Sequence, residues 1–600
     1  MFETELDQIG EQLRATLRRH GSVPPDRIQW IPIPFAGQWG FGTATCFQAA
    51  AAEARHGKAE VGRRAEELAR VAVVDVHLPP GMARIAAERA YINVYLDSAV
   101  FARRVVDRVI GEGDEFGRGQ PKGERVMVEY FQPNTHHSIH IGHARAALLG
   151  ESLARLVQFA GFETVRASYP GDMGLGVITC MWAYQRFYPG QEPDGIHERG
   201  RWLANIYAEA TQLLMLKEDE TDSERAQREA YDAERRELYR RWDAGDPEVR
   251  QLWLKTRQWS LDELNDILRM LDIQMDVFFF ESDAAAEGKE IVEELIHLGI
   301  AEDERSSGGP VIVKIDERLG LKKEKYRTAV ILRSDGTTLY LTNDLALAKR
   351  KFEDYHVDRS VYVVDVRQSL HFQQVFKILE LWGFPEAAKC FHLAFGFVSL
   401  PAGAMSSRKG NVVFFKDVAD EAVRRVLGVI EEKNPHLPAG QREQVATQVG
   451  LGALAYAMLS VDNTRDIVFD MDTALSFDGQ SAPYIQNAHV RACSILKKAG
   501  GMPLTADIAH PLEPLETELI DLMARFPAAV QQAALDYKPL HMANYAYELA
   551  RTFHAFYHAV PVLQAGTPET IDARLRLTAA ARQTIANSLR LLDIQAPESM

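Results

Sequence analysis

Between Val126 and Gly174 the spacing of apolar positions changes period twice. Val126 to Phe131 is a short, β-branched apolar run, the signature of a buried strand. Gln132 to Ile139 cannot extend it, because Pro133 lacks an amide donor and Asn134 favours a turn. From His140 onward Leu149, Leu153, Leu156 and Ala160 fall on one helical face, and Gly161 ends the helix. Thr164 to Tyr169 then reads as a second strand. A strand, a helix and a strand in this order predict a βαβ unit, with its polar residues at the strand-to-helix turn, where parallel α/β folds place ligands.

The same reading divides the rest of the chain. Leu6, Ile9, Leu13 and Leu17 form a clean helical face at the start. A glycine-rich loop (Gly37 to Gly42), an alanine-rich helix and strand-like runs at Val71–Leu78 and Tyr91–Leu96 follow, so residues 1–122 are expected to form a small α/β domain. Gly111 to Lys122, glycine-rich and polar, is expected to be a linker. Residues 123–445 form the larger α/β region, interrupted by an insertion around 192–300. Glu192 to Trp259 is dense in charge, and we read it as a solvated helical stretch without chemistry. After it, Ala329–Arg333, the Ser334-Asp335-Gly336 turn and Thr338–Leu341 predict a hairpin; Asp344 is expected to open a helix, and Ser360–Val366 to form a buried strand. Residues 446–600 read as helices only. An aromatic stripe there (Tyr545, Phe553, Phe556, Tyr557) is at the spacing of a core more often than of an RNA platform.

Composition changes this picture little. With 46% hydrophobic and 25% charged residues among 600, the chain has an ordinary globular make-up of several domains. It has no apolar run of membrane-spanning length, and the acidic start argues against a signal peptide. Cys46, Cys180, Cys390 and Cys493 are scattered without a paired motif, so neither structural zinc nor a disulfide framework is expected, and a reducing, cytoplasmic setting fits. The formal charge of −16 means that any RNA contact must come from local basic patches and stacking side chains.

Two motifs carry candidate chemistry. At the strand-to-helix turn stands His140-Ile141-Gly142-His143, where a helix N-terminus and two imidazoles can stabilise charge on a polyphosphate and Gly142 admits a flat ligand such as a purine. His136, His137, His140 and His143 crowd together as metal ligands would, but no cysteine or carboxylate follows at ligand spacing. Far downstream, Met405-Ser406-Ser407-Arg408-Lys409-Gly410-Asn411 is a small, hydroxylated, basic segment of the kind that closes over phosphates. Alone it could equally be an exposed loop.

Together the two motifs resemble the signature pair of class I aminoacyl-tRNA synthetases, and their surroundings resemble the arginyl-tRNA synthetase family along essentially the whole chain. The resemblance implies a Rossmann-type catalytic domain with a helical insertion, a small N-terminal domain that meets the tRNA elbow, and an all-α anticodon-binding domain. It implies ATP-dependent activation of L-arginine to an arginyl-adenylate, magnesium with the nucleotide, and transfer to the 2′-hydroxyl of the terminal adenosine of tRNA(Arg). By the family's motifs, His140, Gly142, His143, Met405, Ser406, Arg408 and Lys409 would serve ATP, with His140, Gly142, His143 and Lys409 catalytic. Glu129, Asn134, Tyr340, Asp344 and Gln368 would hold arginine, and Tyr91, Asn93, Arg491, Tyr557 and Met600 would meet tRNA. A guanidinium is a flat cation with five donors, so carboxylates and a ring face are the right lining. Two positions depart from the pattern: Ala404 and Ser407 stand where the class has lysines, with Lys409 as replacement, and Asn487 stands where an aromatic is frequent. The rivals are a tRNA-independent nucleotidyltransferase and a non-catalytic tRNA-binding paralogue; we expect a monomeric enzyme.

Overall fold

The computed structural model describes residues 1–53, 58–216, 219–399 and 413–600. Helix α1 (Glu3–Arg19) buries Leu6, Ile9, Leu13 and Leu17, as its spacing predicts. It is followed by β1 (Ile31–Pro32), β2 (Gly40–Thr43), α2 (Thr45–Ala52), α3 (Lys58–Ala72), β3 (Met82–Glu88), β4 (Tyr91–Leu96) and α4 (Ser98–Glu112). The strands form an antiparallel sheet in the order β1-β2-β4-β3. The run Val71–Leu78 is not a strand: it ends α3 and continues as a turn, because Pro79 and Pro80 remove two amide donors and pairing starts only after Gly81 (φ +93°).

The expected linker is packed. Phe116 stacks on Phe526 at 5.6 Å, and a Cβ on Gly117 would lie 2.6 Å from that ring. The Gly119 and Lys122 amides donate to Phe159 and Gly161 carbonyls. Around it the first domain docks directly on the last. The Trp39 indole donates to Asp521 at 3.1 Å, Arg103 pairs with Asp507, and Arg576 pairs with Asp107 at 2.6 Å.

The central domain begins with β5 (Arg125–Glu129), α5 (Ile141–Phe159) and β6 (Glu163–Ser168). The insertion helices α6 (Leu175–Phe187), α7 (Ile196–Leu214), α8 (Asp222–Asp243) and α9 (Pro247–Met270) have their own aromatic core around Trp182, Trp242, Trp253 and Trp259. Then come β7 (Val277–Phe278), α10 (Glu281–His297), a small antiparallel sheet of β8 (Glu302–Asp303), β9 (Val311–Lys314) and β10 (Thr328–Leu332), and the one-turn α11 (Ile315–Arg318). The expected hairpin after β10 shrinks to a single bridge, Leu332 to Thr338. Tyr340 starts α12 (Tyr340–Tyr355), so Asp344 lies one turn inside that helix and does not cap it. β11 (Arg359–Asp365), α13 (Ser369–Trp382) and β12 (Cys390–Phe395) complete a five-stranded parallel sheet, β12-β11-β5-β6-β7. Strand order reverses between β5 and β11, and ligands of such sheets bind in the crevice outside the carboxyl ends there.

A two-residue pair, β13 (Val398–Ser399) with β14 (Ile467–Val468), ties this domain to the helices that follow, so the last region is not purely helical. α14 (Phe415–Lys433), α15 (Ala439–Leu459), α16 (Met471–Ala474), α17 (Ala482–Lys498), α18 (Pro514–Leu535), α19 (Pro539–Ala559) and α20 (Pro568–Leu591) form the bundle. Residue 445 lies inside α15. Tyr545, Phe553 and Phe556 are buried, as the stripe predicts, and Tyr557 is exposed. α5 is buried nearly all round because it serves the sheet on one side and α15, α18, α19 and α20 on the other.

Candidate functional site

The turn after β5 is built around neutral imidazoles. His140 is the N-cap of α5 with extended backbone. Its Nδ1 accepts from the Gly142 amide at 3.1 Å, while His143 Nδ1 accepts from the His140 amide at 3.3 Å, a reciprocal cap. Both Nδ1 lone pairs are thereby used, which leaves each ring with its proton on Nε2. The rings stack at 3.8 Å. Burial, then the neighbouring His137 and Arg367, pushes His140 down to about 4; burial, then His140 and His137, holds His143 well below the usual imidazole range. Two uncharged Nε2–H donors beside a helix N-terminus are therefore what the turn offers a phosphate. A Cβ on Gly142 would lie 3.0 Å from His140 Cε1, so a side chain here would press on the ring.

His136 has a different task. It has left-handed backbone (φ +65°) and is fully buried; its ring bonds Thr135 and, at 2.7 Å, Thr256 of α9, and its amide donates to Ser260. Ser138 donates to Glu263 on the same helix. The charged insertion thus supports the turn, contrary to its reading as a stretch without chemistry. Among the described residues no cluster of His, Cys, Asp and Glu could hold a metal ion.

A cavity of about 850 Å³ opens beside the turn. Its walls are Asn134, His137, His140 and His143 on one side, and Met173 to Gly176 at the start of α6. Tyr207, Arg236 and Tyr239 come from the insertion, and Glu281, Arg333, Tyr340 and Phe414 close the remainder. Glu281 went unremarked in the sequence. It is buried; Asn343 donates to one of its oxygens at 3.2 Å, and the other has no partner. Burial, then Asp172 and Asp344, pushes it up to about 8. Asp172 positions it: this buried carboxylate accepts from the Ser282 amide and hydroxyl and pairs with Arg257 at 2.7 Å, fixing the first turn of α10. Gly171 is required nearby, since a Cβ there would lie 2.3 Å from the Asn134 side-chain oxygen.

Of the residues named from the sequence, the structure brings His140, His143, Asn134 and Tyr340 to this crevice, with Gly142 in the turn between the two histidines. Glu129, Asp344 and Gln368 lie outside the cavity wall. Glu129 is sealed against Lys351, Asp344 pairs with His371 at 2.5 Å, and Gln368 is exposed at the end of β11. Met405, Ser406, Arg408 and Lys409 lie outside the described residues. Val413 and Phe414, beyond that segment, are bonded to the turn: the Ile141 amide donates to Val413, and Phe414 bridges His140.

None of the expected RNA-facing residues lines this cavity. On β4, Tyr91 is half exposed and Asn93 is buried beside Gly42. Arg491 stacks over Tyr557 at 4.9 Å and donates to His554 and His558. The Met600 carbonyl accepts from Asn434, and its side chain packs on the α14–α15 core. Tyr484, one turn before Asn487, adds a ring against Tyr547 and His554.

A parallel sheet with a paired His turn at its switch point, a helical insertion and a trailing helical bundle define a class I aminoacyl-tRNA synthetase, and the family of class I (R) tRNA synthetase catalytic domains matches residues 106–471. The DALR anticodon-binding domain family matches residues 485–600. An arginine–tRNA ligase of Bdellovibrio bacteriovorus is 36% identical over 86% of this chain and 87% of its own. One of Clostridium perfringens is 33% identical over 96% of each. The structure of Thermus thermophilus arginyl-tRNA synthetase superposes with a TM-score of 0.76 at 25% identity, covering 99% of both chains. The chain belongs to the arginine–tRNA ligase family.

Proposed function

We infer that this protein uses ATP to activate L-arginine as an arginyl-adenylate and then charges the 2′-hydroxyl of the terminal adenosine of tRNA(Arg). The observation that carries this reading is the crevice itself: two neutral Nε2–H donors at a helix N-terminus on one side, and a buried carboxylate with an unpartnered oxygen on the other.

The arginine carboxylate would attack the α-phosphorus, and pyrophosphate would leave. His140 and His143 donate to phosphate oxygens as charge develops there, and Lys409 adds its ammonium. Uncharged donors suit this task, because their hydrogen bonds are preorganised without repelling the incoming cationic amino acid. At the other end Glu281 supplies charge to the guanidinium, Tyr340 a ring and hydroxyl, and Asn134 a polar contact for the α-amino group, all from the cavity wall. Glu129 and Asp344, just behind that wall, add negative charge for the guanidinium, and Gln368 at its edge would meet the α-carboxylate group. Magnesium arrives with the nucleotide. Tyr91 faces the tRNA elbow, with Asn93 buried behind it on the same strand, and Arg491, Tyr557 and Met600 face the anticodon. One chain carries both RNA-facing domains, and we propose that it works as a monomer in the cytoplasm; all four cysteines are free thiols.

Pyrophosphate exchange with each of the twenty amino acids, with and without tRNA, tests the assignment. Arginine alone should support exchange. Exchange with another amino acid, or none with any, would refute it.

A further inference from the structure

One buried pair near the crevice includes a residue, Lys351, that the mechanism does not use. Lys351 on α12 and Glu129 at the end of β5 are 0% and 2% exposed, and their charged atoms are 2.6 Å apart. The ammonium lies 3.7 Å from the centre of the Tyr362 ring, and Tyr362 is directly opposite Glu129 in the β11–β5 register. Neither charged atom has a further hydrogen-bond partner. Phe372 and Phe376 close the other side of Tyr362.

Stability does not account for such a pair. A buried ion pair is often no better than two apolar side chains of the same volume, because removing both charges from water costs about what their attraction returns. Its place in the fold is more telling. β5 is the central strand, Glu129 is its last residue, and the crevice opens just beyond it. Besides Asp172, which pairs with Arg257, three carboxylates gather at this end of the sheet, each with a different partner. Asp344 has His371, Glu281 has only the Asn343 amide, and Glu129 has Lys351. Burial and the nearby Asp344 both push Glu129 towards its neutral form, and Lys351 opposes them. The titratable groups around Glu129 are Lys351 and Asp344 on α12, Tyr362 on β11 and Tyr169 after β6.

We propose that Lys351 is a positioning residue for arginine selection: it holds Glu129 as a carboxylate, fixed in place under the amino-acid end of the crevice before substrate arrives. The inference rests on the reading of Glu129 as an arginine-pocket residue. A lysine suits the task because its ammonium is a point charge that approaches one oxygen and leaves the other side of the carboxylate unused. The aromatic face of Tyr362 stabilises the same ammonium from behind and keeps it from the substrate's place.

The test compares Lys351→Met, Lys351→Arg, Glu129→Gln and the double variant Glu129→Gln/Lys351→Met in full-length enzyme, by arginine-dependent pyrophosphate exchange with tRNA present. Lys351→Met should raise the arginine KM at least tenfold at pH 7, with kcat within about threefold and the ATP KM unchanged. Without the cation Glu129 takes up a proton, so the ratio of variant to wild-type KM should shrink as pH rises from 6 to 9. Lys351→Arg keeps the positive charge but presents a planar fork, so any rise in its KM should not change between pH 6 and pH 9. Because both residues act as one unit, the double variant should show the KM of Glu129→Gln alone. The double variant carries no unpaired charge and keeps the test open should Lys351→Met fail to fold. An additional KM increase in the double variant, beyond that of Glu129→Gln, overturns the proposal. So does a folded Lys351→Met enzyme with wild-type KM where Glu129→Gln is impaired. A Glu129→Gln enzyme with wild-type KM instead removes Glu129 from the arginine pocket, which is a failure of the underlying reading.

Discussion

Glu281→Gln is the substitution from which the pocket's electrostatics can be read most directly. The carboxyl is buried and pushed up to about 8, so in the free enzyme at pH 7 roughly nine molecules in ten carry the proton. A bound guanidinium reverses this, and arginine binding should release a proton. The sign follows: arginine affinity rises with pH, by about tenfold between pH 7 and pH 9, and levels off above. Losing one partner of a buried charge pair costs about 3–5 kcal/mol. The wild-type enzyme already spends about 1.4 kcal/mol at pH 7 on deprotonation, so Glu281→Gln should lose about 2–4 kcal/mol of arginine binding. That is roughly thirty- to a thousandfold in KM. The variant should show no pH dependence between 7 and 9 beyond that of its other groups. Without arginine, the raised pKa also means that stability falls as pH rises from the ordinary carboxylate range through 8, and the glutamine should flatten this slope in thermal melts. Isothermal titration in two buffers of different ionisation enthalpy counts the released proton. A Glu281→Gln enzyme that binds arginine as tightly as wild type, with the same pH slope, would falsify the assignment.

The phosphate side has its own expectations. His140→Ala and His143→Ala should each slow adenylate formation by about 3 kcal/mol while leaving arginine affinity near wild type, as single-turnover rates will show. Gly142→Ala should act on the same step, since its methyl group would lie 3.0 Å from His140 Cε1 and displace the ring. Lys409→Ala should lower the maximal rate at unchanged arginine KM; equal rates would leave Lys409 without a role. Tyr557→Ala and removal of Met600 should weaken tRNA binding by about 1–3 kcal/mol per stacked base without affecting exchange at saturating tRNA, and unchanged tRNA affinity in filter binding would return both to the fold.

The βαβ unit from Val126 to Gly174 was legible because period, turn chemistry and end signals agree there. Tyr340 was misread as a strand residue because Asp335-Gly336 is a hairpin signal, yet only Leu332 and Thr338 pair before the helix begins. Local turn chemistry specifies a reversal, not how far the ladder extends beyond it. Glu281 could not be found, since an acidic residue in the first turn of a helix has an ordinary role in favouring the dipole. Its burial depends on Asp172, over a hundred positions away. Lys351 left a fainter trace: it follows Asp344 and Leu347 at helical spacing, on a face that continues the buried one, although its neighbours Lys349 and Arg350 make the stretch look solvated. The role of α9 in holding His136 and Ser138 was hidden for the same reason, because charge density describes one face of a helix and not the other.

The docking of the first domain on the last has a mechanical consequence. Trp39 on Asp521, Phe116 on Phe526 and Arg576 on Asp107 join the two ends of the chain directly, besides their connection through the catalytic sheet. The protein is in this sense a closed frame, not a string of hinged parts. On the proposed assignment of Tyr91 to the elbow and Arg491 to the anticodon, the span between the two contacts is set by packed side chains before any RNA arrives. On that assignment the compliant member of the complex is the nucleic acid, and its ability to flex to a fixed gauge becomes part of how it is recognised.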